Sequence, residues 1–414
     1  VVGGPVELPN VRLCALPSGS GGFKVSGDVN GGTFAASRAG VQYRREDQAR
    51  TKLGVFVLRG STNIGMRTTR VLRVNPHEPE REAIAEAAEV IRAGGLVAFP
   101  TETVYGLGAD ALNERAVRRI FEVKGRPPDN PIIVHVADKD SIYLLAAEVP
   151  PAAEELISRF WPGPLTLVLK RTELVPPITC GGLETVAVRM PAHRVALDLI
   201  RESGVPIAAP SANLSGSPSP TTAEHVLRDL GGRIEMVLDG GPTEIGVEST
   251  VIDLTVDPPE LLRPGGVPVE EIEGVLGRVS VTEAARGLGS FSGRPRSPGM
   301  KYRHYAPRCR VVLVEGDPVS VRRKVAELVA ELTSQGKRVG VLALDGAEYP
   351  GAEVIDLGPR SDLRRVARSL FTSIRELDER GVDVIVAEGV EERGLGLAIM
   401  NRLRKASGGE TIRA

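Results

Sequence analysis

A chain of 414 residues exceeds what one hydrophobic core usually organises, so its length predicts two or three domains. Hydrophobic residues at 42% and charged residues at 25% suit a globular chain, and aromatics at only 4% make the expected core aliphatic. With 52 basic against 53 acidic side chains the formal charge is −1, which excludes a global field for nucleic acid or anionic membrane and leaves phosphate binding to local clusters.

Residues 1–65 carry 12 glycines, 8 Lys/Arg against 4 Asp/Glu and no sustained period of 2 or 3.6. That pattern predicts a disordered or mis-assigned N-terminal extension, with Met66, which opens the run MRTTRVLRV, as the expected true start. From Val71 short aliphatic runs alternate with helical patterns, predicting an α/β layer architecture around a mixed sheet. Strands are expected at 96–100, 131–136, 165–169, 186–190, 207–209, 236–239 and 251–254, and helices at 79–93 and 114–123. Residues 284–308 begin rich in Gly, Ser, Pro and Arg and read as a linker between a domain at 66–283 and another at 309–414. In the latter, strands at 311–316, 339–344 and 382–390 alternate with helices at 319–335 and 362–380, which predicts a smaller parallel sheet.

Cys14, Cys180 and Cys309 lie far apart with no CxxC pair, giving neither a disulfide framework nor a thiolate metal site, and a reducing cytoplasm is the expected location. No apolar run approaches the roughly 20 residues of a bilayer span, so no membrane association is expected. There is no GxxxxGK[ST] loop, no GxGxxG after a first strand and no HExxH, which disfavours the common kinases, dehydrogenases and zinc enzymes. The cluster GLGLA at 394–398 reads as a close-packed turn more readily than as a ligand loop.

Several short segments could carry chemistry. FPTETVYGLGADA, residues 99–111, sets Thr101, Glu102, Thr103 and Tyr105 at a strand end, where open α/β sheets face ligands, and follows them with glycines suited to a tight turn toward a helix. KGRPPDNP at 124–131 places Lys124 and Arg126 two residues apart at a helix end, a pairing that suits a polyphosphate as well as it suits a solvated helix C-terminus. In VAVRMP, Arg189 lies within an apolar strand and needs an anionic partner, either a structural carboxylate or a substrate's. APSANLSG, GVESTVID and LLRPG add Ser211, Asn213, Ser215, Ser249 and Arg263, with helix capping and turns as the competing account of the small polar groups.

Taken in order, FPTETVYGLG, KGRPxxNP, WPGPLT, VAVRMP, APSANLSG, GVESTVID and LLRPG resemble the YrdC/Sua5 family of threonylcarbamoyl-AMP synthases. The resemblance covers roughly residues 70–280, and SPGMKYRHYAP with the β-α region behind it resembles the long Sua5 form. It implies a YrdC-like α/β domain with a twisted mixed sheet, followed by a smaller Rossmann-like domain. The implied reaction joins L-threonine, bicarbonate or CO2 and ATP, with Mg2+ carried on the nucleotide, into threonylcarbamoyl-AMP and pyrophosphate. A downstream tRNA threonylcarbamoyl transferase would use the product at adenosine 37, and a contact with double-stranded RNA or tRNA is part of the same expectation.

By position in the family's motifs, Thr103, His135, Arg189, Ala209 and Ser249 would hold threonine. Arg126, Asn130, Thr185, Ser211, Asn213, Ser219, Arg263, Tyr302, His304 and Tyr305 would surround ATP, and Lys124 and Arg126 would be catalytic. The linker run Lys301 to Tyr305 packs cations and rings too densely for a plain tether, so it is expected to close over the cleft, with packing between the domains as the alternative. Two rival readings, an RNA-binding module and a carbamoyltransferase of the hydrogenase-maturation kind, predict a basic net charge and paired cysteines respectively. Neither feature is present in the sequence.

Overall fold

The computed structural model describes residues 25–29, 32–37, 40–43, 56–59, 68–289, 293–301 and 304–414. The chain divides into two compact units, 1–53 and 54–414. In the first, strands Val25–Val29, Gly32–Ser37 and Gly40–Tyr43 form an antiparallel sheet. Apart from these strands and Phe56–Arg59, the expected extension at 1–65 falls on residues outside the described ones, as does Met66.

The second unit is built on a 12-stranded mixed sheet and a five-stranded parallel sheet. From one edge to the other the large sheet runs Ser280–Val281, Glu260–Arg263, Thr250–Asp253, Leu165–Lys170, Thr185–Arg189, Ile133–His135, Ile207–Ala208, Gly106–Asp110, Val97–Phe99, Met236–Asp239, Thr68–Arg73 and Phe56–Arg59. Each of the seven strands expected in this region appears, shifted by at most a few residues. Helices Arg81–Arg92 and Arg194–Ser203 cover one face through Ile84, Ala88, Ile91, Leu199 and Ile200. Helices Glu114–Lys124, Pro151–Phe160, Ala223–Leu230 and Val269–Leu276 contribute to the core on the other.

One sequence expectation about glycine is corrected. Gly106–Asp110 is a central strand rather than a turn toward a helix: a Cβ on Gly108 would lie 2.7 Å from the Phe99 ring and 2.8 Å from the Ile207 side chain, so glycine leaves the room that these side chains of the two neighbouring strands occupy. GLGLA runs from a close-packed turn, closed by the Gly396 amide on the Arg393 carbonyl at 2.9 Å, directly into a helix. Gly394, at φ +58°, precedes helix Leu395–Ala406, and Gly396 lies within its first turn.

The small sheet is wholly parallel, in the order Glu353–Asp356, Val339–Ala343, Val384–Glu388, Arg310–Glu315, Thr411–Arg413. Helix Pro318–Ser334 packs on one face, and Leu363–Glu379 with Leu395–Ala406 on the other. The core on that second face also takes in Val104, Val247 and Tyr305, so the small domain is packed directly against loops and linker of the large one. Among the described residues no helix is long and apolar enough to cross a membrane.

Candidate functional site

The ends of several strands of the large sheet converge on one cavity. Arg189 ends Thr185–Arg189 and pairs in register with His135, the end of Ile133–His135, which in turn faces Ile207. Ala209 follows Ile207–Ala208, Ser249 precedes Thr250–Asp253, and Arg263 ends Glu260–Arg263. Strand ends at which neighbouring connections diverge are where such sheets leave room for ligands.

The loop after Val97–Phe99 is shaped by Thr101, whose hydroxyl donates to the Val104 carbonyl at 2.6 Å and accepts the amides of Thr103 and Val104 at 3.2 Å each. This turn presents Thr103, whose hydroxyl accepts a hydrogen bond from Arg189 Nη1 at 3.1 Å. Arg189 Nε donates to the Gly163 carbonyl at 3.2 Å, and Nη2 lies 2.7 Å from Glu102 Oε2. His135 is pushed down to about 3, first by burial and then by the Arg189 charge, so it stands as a neutral imidazole. The anionic partner that Arg189 requires is thus a carboxylate of the protein itself.

Helix Glu114–Lys124 begins at Asn113, whose side chain accepts from the amides of Arg115 and Ala116, and ends at Gly125 in the left-handed region at φ +61°. Its buried face is Ala116, Val117, Ile120, Phe121 and Lys124, so the lysine projects inward. Lys124 Nζ donates to the carbonyls of Ser211, at 2.6 Å, and Asn213. Burial above all, and then the neighbouring Arg126, pushes its amine well below the usual lysine range. Arg126 wraps onto the carbonyls of Asn130, at 3.3 Å, and Pro131, at 2.9 Å.

On the opposite wall, Arg263 donates to the Ser249 carbonyl at 2.9 Å and its hydroxyl at 3.1 Å, and that hydroxyl also bonds Thr166 at 2.8 Å. Glu248 accepts from Ser219 Oγ at 2.5 Å and from Arg402 Nε at 2.7 Å. Burial pushes the Glu248 carboxyl up, but Arg402, Arg263 and these hydrogen bonds more than offset it and hold it below the usual carboxylate range.

The linker forms the roof. Ser297, Pro298, Gly299 and Met300 are buried, Arg296 is paired with Asp253 at 2.5 Å and Glu260 at 2.8 Å, and Lys301 with Asp129 at 3.0 Å. Tyr305 sits in the left-handed region at φ +64°, its ring 5.3 Å from Phe371 of the small domain and 5.6 Å from the His304 ring. His304 is pushed down to about 3 by burial and then by Arg126, and its buried Nε2 meets no hydrogen-bond partner among the described residues.

The cavity, of about 50 Å³, is lined by all five residues expected to hold threonine, Thr103, His135, Arg189, Ala209 and Ser249. Arg126, Ser211, Arg263, His304 and Tyr305 of the nucleotide set line it too. Lys124, Asn130, Asn213 and Ser219 stand one layer behind as buried supports, Thr185 begins its strand away from the cavity, and Tyr302 lies outside the described residues. The motifs contained Glu102 and Glu248 without revealing their parts. Arg402 and Lys405 escaped altogether, although three cations in the apolar helix LGLAIMNRLRKA were a signal of inward-facing charge.

A family model described as "Telomere recombination", for Sua5, YciO and YrdC, matches residues 89–265, and one described as "Threonylcarbamoyl-AMP synthase, C-terminal domain" matches 267–408. A threonylcarbamoyl-AMP synthase of Pyrococcus abyssi is 58% identical over 80% of this chain and 98% of its own length. One of Bacillus subtilis is 52% identical over 80% and 94%. The solved structure of P. abyssi Sua5 with L-threonine superposes with a TM-score of 0.80 at 57% identity, covering 83% of this chain and 99% of that one.

Proposed function

Because the chain belongs to the Sua5/YrdC family in its long, two-domain form, and is a nucleotidyl-transferring enzyme of the threonylcarbamoyl-AMP synthase type, we propose that it makes threonylcarbamoyl-AMP and pyrophosphate from L-threonine, bicarbonate or CO2 and ATP. The product would pass to a tRNA threonylcarbamoyl transferase acting at adenosine 37, in the cytoplasm. The observation that carries the reading is the single cavity that joins Thr103, His135, Arg189 and Ser249 to Arg126, Ser211 and Arg263 beneath the linker.

The chemistry follows from what these groups can do. Arg189 and Thr103 would take the threonine carboxylate, leaving the amine to capture CO2 as a carbamate. A carbamate oxygen then attacks the α-phosphorus of ATP, a P–O bond forms, and the bond to the β,γ-phosphates breaks as pyrophosphate leaves. Such a displacement needs alignment and charge stabilisation more than proton transfer, and three arginines with hydroxyl donors supply both. His135 and His304, held neutral, add no further charge around the nucleotide.

Mg2+ would arrive on the triphosphate. Among the described residues no cluster of three His, Cys, Asp or Glu side chains offers it a protein cage, and the two carboxylates beside the cavity, Glu102 and Glu248, are each paired with an arginine. Pro298, Gly299, His304 and Tyr305 of the linker line this cavity, so the linker would lift to admit the substrates. Shut again, it would keep water from a carbamate that decarboxylates and an adenylate that hydrolyses. The test is pyrophosphate release from ATP: it is expected only when threonine and bicarbonate are both present, and release that ignores the omission of either overturns the reading.

A further inference from the structure

The small domain does more than follow the linker: its last helix, Leu395–Ala406, sends Arg402 into the wall of the large domain's cleft. Arg402 is 0% exposed and among the largest fully buried side chains of the protein. Its Nε donates to Glu248 Oε2 at 2.7 Å, its Nη1 to the Pro264 carbonyl at 2.9 Å and to Asn401 Oδ1 at 3.0 Å, and its guanidinium lies 5.2 Å from the centre of the Tyr305 ring. One side chain therefore touches the carboxylate beside Ser219, the residue after Arg263, and the roof of the cavity.

The need for such a residue follows from charge. Glu248 is 6% exposed and lines a cavity that, on the reading above, receives a triphosphate, a carboxylate and a carbamate. An unneutralised carboxylate there would repel the triphosphate and the carbamate, and burying it without a countercharge is costly. Arg263 cannot do the whole task, because its Nε and Nη2 are engaged with Ser249. Neighbouring contacts tie the same wall to the small domain: Val247 lies in that domain's core, and a Cβ on Gly246 would come within 2.5 Å of the Arg368 Cα.

We propose that Arg402 is a positioning residue for the nucleotide, supplied by the small domain, which neutralises Glu248 and thereby sets Ser219, Arg263 and Tyr305 for ATP. This rests on the proposed function in taking ATP as the ligand of that wall. It gives the small domain a direct part in adenylation: the large domain carries the motifs, and the small domain carries the countercharge that makes one wall compatible with an anion. Threonine is held by Arg189 and Thr103 on the opposite side and meets this wall only at Ser249, so it should depend on Arg402 much less than ATP does.

The test compares Arg402→Gln, which keeps an N–H donor for Glu248 but removes the charge, with Arg402→Lys and with the charge-neutral double variant Arg402→Gln/Glu248→Gln, in the full chain. For Arg402→Gln the KM for ATP is expected to rise by about tenfold, with the KM for threonine within about twofold. Arg402→Lys and the double variant should both return the KM for ATP to within about threefold of the parent. Equal losses for ATP and threonine, or a double variant no better than Arg402→Gln, would mean that the arginine only packs the domains, and overturn the proposal. Should Arg402→Gln fail to fold, Arg402→Lys and the double variant carry the same comparison, and a double variant that folds yet has lost ATP binding overturns it as well. Parent protein that releases no pyrophosphate would instead sink the proposed function, whatever the variants do.

Discussion

Arg189 and Glu102 form an ion pair of 2.7 Å in which both side chains are only 4% exposed, and no hydrogen bond of good geometry reaches either Glu102 oxygen among the described residues. The arginine assigned to the threonine carboxylate thus already has a charged partner, placed by the turn at Thr101. Removing one member of such a pair leaves the other buried and uncompensated, at about 2–5 kcal/mol. Arg189→Ala should therefore lose threonine binding and stability together. In Arg189→Ala/Glu102→Gln the stability is expected to return while threonine binding stays lost. Calorimetry with threonine and urea unfolding check both halves, and recovery of threonine binding in the double variant would remove Arg189 from the site.

Lys124 and Arg126 should separate in experiment although they adjoin in sequence. Lys124 ties helix Glu114–Lys124 to the carbonyls of Ser211 and Asn213, so Lys124→Met leaves buried acceptors unpaired, a cost of about 1–3 kcal/mol. Adenylate formation should fall as a consequence of a loosened Ser211 loop. Arg126 lines the cavity, and Arg126→Ala is expected to cut the rate by about 10²–10³ with much of the stability retained. Urea midpoints beside single-turnover rates distinguish the two, and equal stability losses would mean that Arg126 too is a brace.

How far the sequence disclosed this site depended on the distance over which each contact acts. Strands such as Leu165–Lys170 were legible because their aliphatic runs are local, and the motifs marked residues that now share one cavity. Gly106–Asp110 was not, because its glycines answer to Phe99 and Ile207 packed across the sheet, which no local pattern announces. The ion pair of Arg402 with Glu248 spans 154 positions, and a buried arginine in a helix reads as an exposed one until its partner is known. Read locally, Lys124 suited a polyphosphate and a solvated helix C-terminus equally, and only the folded helix, whose buried face extends to its last residue, shows that the lysine is not solvated.

Acid should loosen the protein through its histidines. His135 and His304 are both pushed down to about 3, so between roughly pH 6.5 and 3 the unfolded chain binds protons that the folded chain refuses. The histidines' contribution to stability is then full above about pH 6.5 and is lost as the pH falls toward 3. His304→Gln should flatten that decline in urea unfolding measured from pH 7 to 4, and an unchanged slope would show that the His304 imidazole is not held neutral. Lys405 acts in the same sense at higher pH: burial pushes it down to about 7, so stability should rise from about pH 7 toward 10.5 and Lys405→Met should abolish that rise.

The linker should behave as a lid whose closed position is held by charge at several points. Arg296 is bound to Asp253 and Glu260, Arg294 donates to the Gly182 carbonyl at 3.0 Å, Lys301 pairs with Asp129, and Lys405 Nζ donates to the Gly299 carbonyl. Arg294 and Lys301 are exposed, and such contacts contribute about 0–1 kcal/mol each, whereas Asp253 beneath Arg296 is fully buried, so that pair is the one that opening must break or re-form. Substrates bound beneath Pro298, Gly299 and Tyr305 should favour the closed form. Trypsin reports on this directly, because Arg294, Arg296 and Lys301 lie in the moving segment. Cleavage there is expected in the unliganded protein and slowed by about tenfold or more with ATP and threonine together, with a smaller effect from either alone. High salt, which screens the ion pairs, should speed cleavage of the unliganded form. If the segment is cut at the same rate with and without ligands, and the cut protein retains full activity, the linker only packs the domains and the lid is wrong.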